Sequence, residues 1–364
     1  MFNPRSDLLA RLYVPCVLIV ALCVIVLVGA LVGSDQVAVS LTEMFIRMIV
    51  VIGLYMFAGN SGVLSFGHIA FMGIGAYAAA WATCDPEWKG MMLTGLPAAL
   101  QDHQYPFLAA VLFGAFLAAA VALVFGLIIL RLSGIAASIS TFAFLVVINS
   151  VTANWDTVTG GTSSVVNIPT VVGPWTSFLF VAVTIIAAAL LQTSSVGLML
   201  RASRDDEVAA KASGIVVVRL RLIAFVISAF FVGVAGALYA QFLGILTADI
   251  FYITLTFVAV TMLVVGGVGS LTGAVVGVVV ITAITEALRN GEAGIHLGSL
   301  VFALPRGTQE IGLGVIMALV LIFRPSGLTG GREVPLPSGW RSAGAPLLWK
   351  KPTDLAGSTQ EERP

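Results

Sequence analysis

Long apolar runs, separated by short polar or glycine-rich stretches, recur along almost the whole chain. A hydrocarbon layer of about 30 Å takes around 20 helical residues at about 1.5 Å each. Ten runs approach that length: 13–33, 41–58, 66–82, 107–130, 135–152, 177–192, 220–240, 254–268, 271–288 and 309–323. The pattern predicts an all-α polytopic membrane protein with about ten transmembrane helices. The first run follows Arg5 and Arg11, as the core of a signal peptide would. Its apolar stretch from Val14 to Val32 is longer than such a core and ends at no clear small-x-small site, so a retained helix is expected. Past Pro325 the chain turns rich in Pro, Gly and charge, which predicts a membrane domain over 1–324 and a flexible cytoplasmic tail over 325–364.

Composition agrees with the pattern. Of 364 residues, 59% are apolar and 10% are Asp, Glu, Lys or Arg, whereas a soluble domain carries about 25% charge. Lys plus Arg number 18 and Asp plus Glu 18, so no net field draws nucleic acid to the chain. Placement of the charges says more than their sum, because short loops rich in Lys and Arg stay on the cytoplasmic side. With ten spans and the amino terminus inside, 14 of the 18 basic residues fall inside. These are Arg5, Arg11, Arg131, the group Arg201, Arg204, Lys211, Arg219 and Arg221, and all six from Arg324 onward. Lys89, Arg289 and Arg306 fall outside and Arg47 within the second span, so both termini are expected to be cytoplasmic. The polar segments 83–106 and 153–176 then lie outside, as connectors or as a surface for a partner.

The catalytic signatures that a membrane protein could carry are missing. None of the lysines at 89, 211, 350 and 351 is followed by Ser or Thr, so the phosphate-cradling loop of an ATPase is not present. No HExxH, no GxSxG and no paired intramembrane carboxylates occur, and no catalytic residue is nominated. Cys16, Cys23 and Cys84, and His68, His103 and His296, have neither disulfide nor metal-ligand spacing, so no metal or other cofactor is expected. Glu43 and Arg47, four residues apart on one helical face toward the outer end of the second span, leave two readings open: an interfacial ion pair or a place on a transport route.

Three stretches carry mechanism. Gly59-Asn60-Ser61-Gly62-Val63-Leu64-Ser65-Phe66-Gly67-His68 sets four glycines and polar groups between two apolar runs. It fits a broken helix whose Asn60, Ser61, Ser65 and His68 line a translocation path, and equally a tight turn before a closely packed glycine helix. Gly269, Gly273 and Gly277 recur every fourth residue, the spacing that lets helices meet backbone to backbone. The third stretch is the charged loop 193–219. Asp205, Asp206 and Glu207 suit a helix start, Lys211 follows Glu207 at the spacing of a helical ion pair, and Gly214 is placed to end the helix in a left-handed turn. A short charged helix is expected there, its small face at Ala209 and Ala210 either solvated or shaped to enter a groove of another protein.

This loop resembles the EAA loop of ABC-importer permeases: two alanines and the spacing to Gly214 are kept, while Val208 stands where that pattern has Glu and Glu207 comes one place early. The blocks Arg204 to Gly214, Leu222 to Phe230, Gly233 to Ala240, Leu64 to Tyr77, Gly266 to Ala274, Asn154 to Thr162 and Phe323 to Leu328 are together similar to the Liv-type branched-chain amino acid permease family, in its M-type subunit. The resemblance covers about residues 40–328. It implies a non-enzymatic permease subunit of an ABC importer in a bacterial inner membrane. The implied partners are a second permease subunit, two cytoplasmic ATPase subunits and a periplasmic binding protein. It further implies that Arg201, Arg204, Asp205, Asp206, Glu207, Ala209, Ala210 and Gly214 couple to the ATPases. A urea or short-chain amide permease shares this architecture, and an ion-coupled carrier is the alternative that needs no ATPase.

Overall fold

In a computed structural model of the chain, residues 4–334 are described, apart from 133, 294, 298, 299, 303, 304, 306 and 325. The expected tail beyond 334 lies outside the described residues. The helices run α1 Pro4–Val32, α2 Asp35–Ser61, α3 His68–Thr83, α4 Pro86–Met92, α5 Ala98–Gln101, α6 Phe107–Ile129, α7 Ile135–Asn154, α8 Asp156–Thr159, α9 Pro174–Thr193, α10 Ser195–Asp205, α11 Glu207–Ala212, α12 Val217–Leu243, α13 Ile253–Gly266, α14 Leu271–Ala293 and α15 Thr308–Phe323. A 3-10 turn, Ala248–Phe251, precedes α13, and two three-residue strands, β1 Ile295–Leu297 and β2 Leu300–Phe302, pair antiparallel before α15.

Among the described residues eight helices, not ten, are long and apolar enough to cross a membrane. The two predicted spans that fall short are α3 and α15, each of 16 residues. For α3 the reason is burial: every residue except Ile74 and Trp81 is enclosed by protein, chiefly by α12 and α6. A helix of about 24 Å that is wrapped by its neighbours need not match the hydrocarbon thickness. Where α3, α6 and α12 cross, a Cβ on Gly75 would stand 2.2 Å from the Gly233 carbonyl oxygen, and one on Gly114 2.6 Å from that of Gly75. Three backbones therefore touch directly, which supplies dispersion contacts where lipid offers no hydrophobic push.

α2 is the axis of the bundle. From Met44 to Ser61 each of its residues is buried except Arg47, and it packs on α12, α9 and α14. The polar segment 83–106 is a folded cap. Lys89 is fully buried, and its Nζ donates to the carbonyls of Trp81 (3.1 Å), Leu100 (2.6 Å) and His103 (2.7 Å). Burial lowers its pKa, and the three carbonyls replace the water that an ammonium group requires. Gly95 N donates to Thr157 O at 2.9 Å, joining this cap to the 155–173 loop, and Trp81 Nε1 of α3 donates to Val158 O at 2.9 Å.

At the other end, residues 326–334 of the expected tail are fixed to the bundle. Leu328 N donates to Val265 O at 2.8 Å. The Glu333 carboxylate accepts from Leu271 N (2.8 Å), Thr272 N (3.0 Å) and Thr272 Oγ1 (2.6 Å). It thereby caps the first turn of α14, where unpaired N–H groups favour an anion.

Candidate coupling surface

The charged loop folds as two helices rather than one. Asp205 ends α10, and Asp206, in extended conformation, caps α11 by accepting from Val208 N (2.9 Å) and Ala209 N (3.0 Å). An aspartate that competes for backbone N–H groups breaks a helix and starts the next one, so the acidic triplet straddles a corner. Gly214 ends α11 at φ +83°, in the left-handed region, while Ile215 N closes back on Ala210 O at 3.1 Å.

Three side chains fasten this corner to three different long helices. Arg204 Nη1 donates to Gly59 O, at the end of α2, at 2.7 Å. Arg201 Nη2 donates to Gln192 O, at the end of α9, at 2.7 Å. Glu207 pairs with Lys211 at 2.8 Å within α11 and with Arg221 of α12 at 2.9 Å. Lys211 and then Arg221 hold the Glu207 carboxyl below its usual pKa. Arg221 is nearly buried, so Glu207 neutralises a cation that water cannot reach. Ala210 is buried, whereas Val208, Ala209, Lys211, Ala212 and Ser213 are exposed and form a small, weakly charged tip.

Only part of this arrangement was legible from sequence. The Glu207–Lys211 pair and the Gly214 turn follow from spacing alone. Arg221 and Gly59 did not stand out, because each acts across a turn or between segments far apart in the chain. The one local sign was a basic residue, Arg221, set inside the apolar run of α12.

Asn60, Ser61, Ser65 and His68 form a joint under this loop, each only 1–2% exposed. Gly62 turns the chain at φ +73°, and a Cβ there would meet Arg204 Cγ at 2.5 Å. Asn60 Nδ2 donates to Met56 O at 2.9 Å, and Ser65 Oγ lies 2.7 Å from His68 Nδ1. The His68 ring packs among Phe57, Phe71 and Phe225, with centroids 5.3–6.0 Å away. In this conformation the four residues expected on a path are enclosed by side chains, as a tight turn before a packed glycine helix would be.

The glycine series divides. A Cβ on Gly277 would stand 1.9 Å from Met262 O, and one on Gly273 2.5 Å from Gly267 O, so these two do hold α14 against α13. Gly269 lies instead in the turn before α14, where its Cβ would face Gly331 at 3.4 Å. The helix begins two residues later than an unbroken four-residue repeat requires.

A helical, polytopic membrane fold with one loop fastened to three of its long helices defines the class. The family model described as "Branched-chain amino acid transport system / permease component" matches residues 36–323. The chain belongs to that family. It is 26% identical over 332 residues to the high-affinity branched-chain amino acid transport system permease protein LivM of Salmonella typhimurium, spanning 81% of this chain and 70% of that protein. LivM of Escherichia coli K12 is 25% identical over 323 residues, spanning 79% of this chain and 68% of that protein. LivH of E. coli K12 is 32% identical over 145 residues, 40% of this chain and 42% of LivH. No solved structure matches the chain.

Proposed function

We propose that this chain is a permease subunit of an ABC importer in a bacterial inner membrane, and that it carries leucine, isoleucine or valine inward. The observation that carries the reading is the three-point grip of loop 194–216 on α2, α9 and α12, in a chain of this family. A force applied at the exposed tip by a separate ATPase reaches three long helices at once. Rigid elements joined at a corner convert such a push into helix tilt, the kind of two-state movement that alternating access requires. The relatives' names support branched-chain amino acids as substrate, and the likeness to both LivM and LivH supports a second, related permease beside this one. In this reading the loop 194–216 faces the cytoplasm, where two ATPase subunits bind. A binding protein delivers substrate to the face that carries 83–106.

Reconstitution tests it. Purified in mild detergent with the products of its neighbouring genes, the chain should elute with a second permease and two ATPase polypeptides. In liposomes that assembly should take up leucine only when binding protein and ATP are both supplied. Uptake by the lone chain driven by an ion gradient, or uptake of urea in place of leucine, would overturn the proposal.

A further inference from the structure

Beyond Asp35, α2 carries only two charges, Glu43 and Arg47. Because the helix begins at Asp35, Arg47 stands about 18 Å along a rod of about 39 Å, near its middle rather than at its outer end. A charge at that depth is expensive and needs a partner or a use. Across from it, α14 presents Thr282, Thr285, Glu286 and Arg289, which with Ser40, Glu43 and Arg47 line a cavity of about 90 Å³. The groups are partly engaged with one another. Arg47 pairs with Glu43 and Arg289 with Glu286, while Ser40 Oγ donates to Glu286 Oε1 and accepts from Arg289 Nη2, both at 3.1 Å.

Among the residues that line it, three buried atoms are left without partners: Arg47 Nε and the hydroxyls of Thr282 and Thr285. Thr285 is 8% exposed. A helical threonine ordinarily returns its hydroxyl to the carbonyl four residues back, as Thr42 does to Ala38 O at 2.8 Å. Here two threonines one turn apart, both among the residues that line the cavity, make no such bond, and buried polar groups left unpaired are costly. On the other side of Arg47 a narrow apolar cleft of about 10 Å³ opens between α2, α3, α12 and α13, lined by Val50, Met72, Tyr239, Leu255, Val258 and Met262. Arg47 is the one residue common to both.

We propose that the two cavities form one binding site for a small aliphatic zwitterion. Its carboxylate meets Arg47 and Arg289, its ammonium meets Glu43, Glu286 and the Thr285 hydroxyl, and its side chain passes Arg47 into the apolar cleft. Two acids and two bases cancel, so a simple anion meets two carboxylates and a simple cation two guanidiniums. A guest that carries both charges finds a partner for each. The apolar cleft is smaller here than an isobutyl group, so the proposal requires it to widen when the side chain binds. This site rests on the reading of the chain as an amino-acid permease, and it adds where the amino acid is held.

The test uses the complex with its second permease and ATPases, without binding protein, titrated calorimetrically with three probes. These are leucine, 4-methyl-2-oxopentanoate, which lacks the ammonium, and 3-methylbutylamine, which lacks the carboxylate. Leucine should bind, and each single-charge analogue should bind roughly 10-fold more weakly or worse. Glu286→Gln should abolish the preference for leucine over the oxo acid, an effect that a purely structural ion pair would not produce. Thr285→Val removes no charge and decides the matter should Glu286→Gln fail to assemble: leucine affinity should fall roughly 3-fold or more while that of the oxo acid stays put. Unchanged leucine affinity in both variants, or equal binding of all three probes, would overturn the site. So would leucine uptake by the complete system without any binding to this complex, which leaves the transport reading standing. Failure of the complete system to move leucine at all would strike the transport reading itself.

Discussion

At one end of α2, Asn60 and Ser61 run into a turn closed by Gly62, sealed by the His68 aromatic cluster and held from outside by Arg204 on Gly59 O. Half a helix away, Ser40, Glu43 and Arg47 line a cavity together with two threonines of α14 whose buried hydroxyls have no partner. The glycine-rich end looks polar in sequence, yet its polar side chains are buried and the chain turns there. The other end looks like a long apolar helix with one stray ion pair, yet it is where polar atoms wait for a partner. Polar residues beside glycines mark where a chain must turn; isolated charges deep in an apolar helix mark where it meets something else. Arg204 and the cavity thus meet opposite parts of one helix, α2.

The sharpest way to break this contrast is to unpair the buried cation that anchors loop 194–216 to α12. Glu207→Ala leaves the nearly buried Arg221 without a carboxylate; since Glu207 itself is partly exposed and water can enter, the cost is about 2–3 kcal/mol. The thermal midpoint of the complex in detergent should drop accordingly, and Glu207→Asp should recover part of the loss. Next comes Gly277→Ala, whose Cβ would fall 1.9 Å from Met262 O. Forcing α13 from α14 should cost about 1–3 kcal/mol, read as a lower midpoint with the helical circular dichroism intact. Arg204→Ala removes one charged hydrogen bond from a partly exposed site, a stability change of about 1 kcal/mol or less. Its signature should be functional instead: ATP hydrolysis persists while leucine uptake falls at least several-fold. Equal loss of both would mean that the Gly59 contact only holds the fold.

The smallest effect expected is on pH. Since Lys211 and Arg221 lower the Glu207 pKa in the folded state, the stabilisation is complete above the ordinary glutamate value of about 4.3. It is lost progressively as pH falls from that ordinary value through the lowered one, below which both states are protonated and nothing further is lost. The midpoint should therefore be insensitive to Glu207 from neutrality down to about 4.3 and decline from there toward the lowered value, and Glu207→Gln should remove that part of the acid slope.

Much of this molecule could be read before any coordinates. Hydrophobic runs locate the long helices, because lipid selects for composition directly. Their ends are harder: α2 starts at Asp35 rather than near 41, since Gln36 and Ser40 pair with α14 residues instead of with water. That shift of six residues moves Arg47 from the rim to mid-helix and changes its meaning. Local spacing revealed Glu207–Lys211 and Gly214, but Arg221, Gly59, Glu333 and Thr285 act through neighbours 14 to 145 residues distant or through bonds not made, which no local pattern records. Lys89 misled in the opposite way: a basic residue in a polar loop reads as solvated, yet three carbonyls enclose it.

The account stands or falls on what touches the tip of loop 194–216. A benzophenone placed on Ala209→Cys, in a chain whose three native cysteines are replaced, can be photoactivated in membranes that contain the whole assembly. The expected result is one adduct with the mass of the ATPase polypeptide, diminished when ATP is withheld. Labelling of the same cysteine in intact cells by a membrane-impermeant maleimide, with no ATPase adduct, would contradict it.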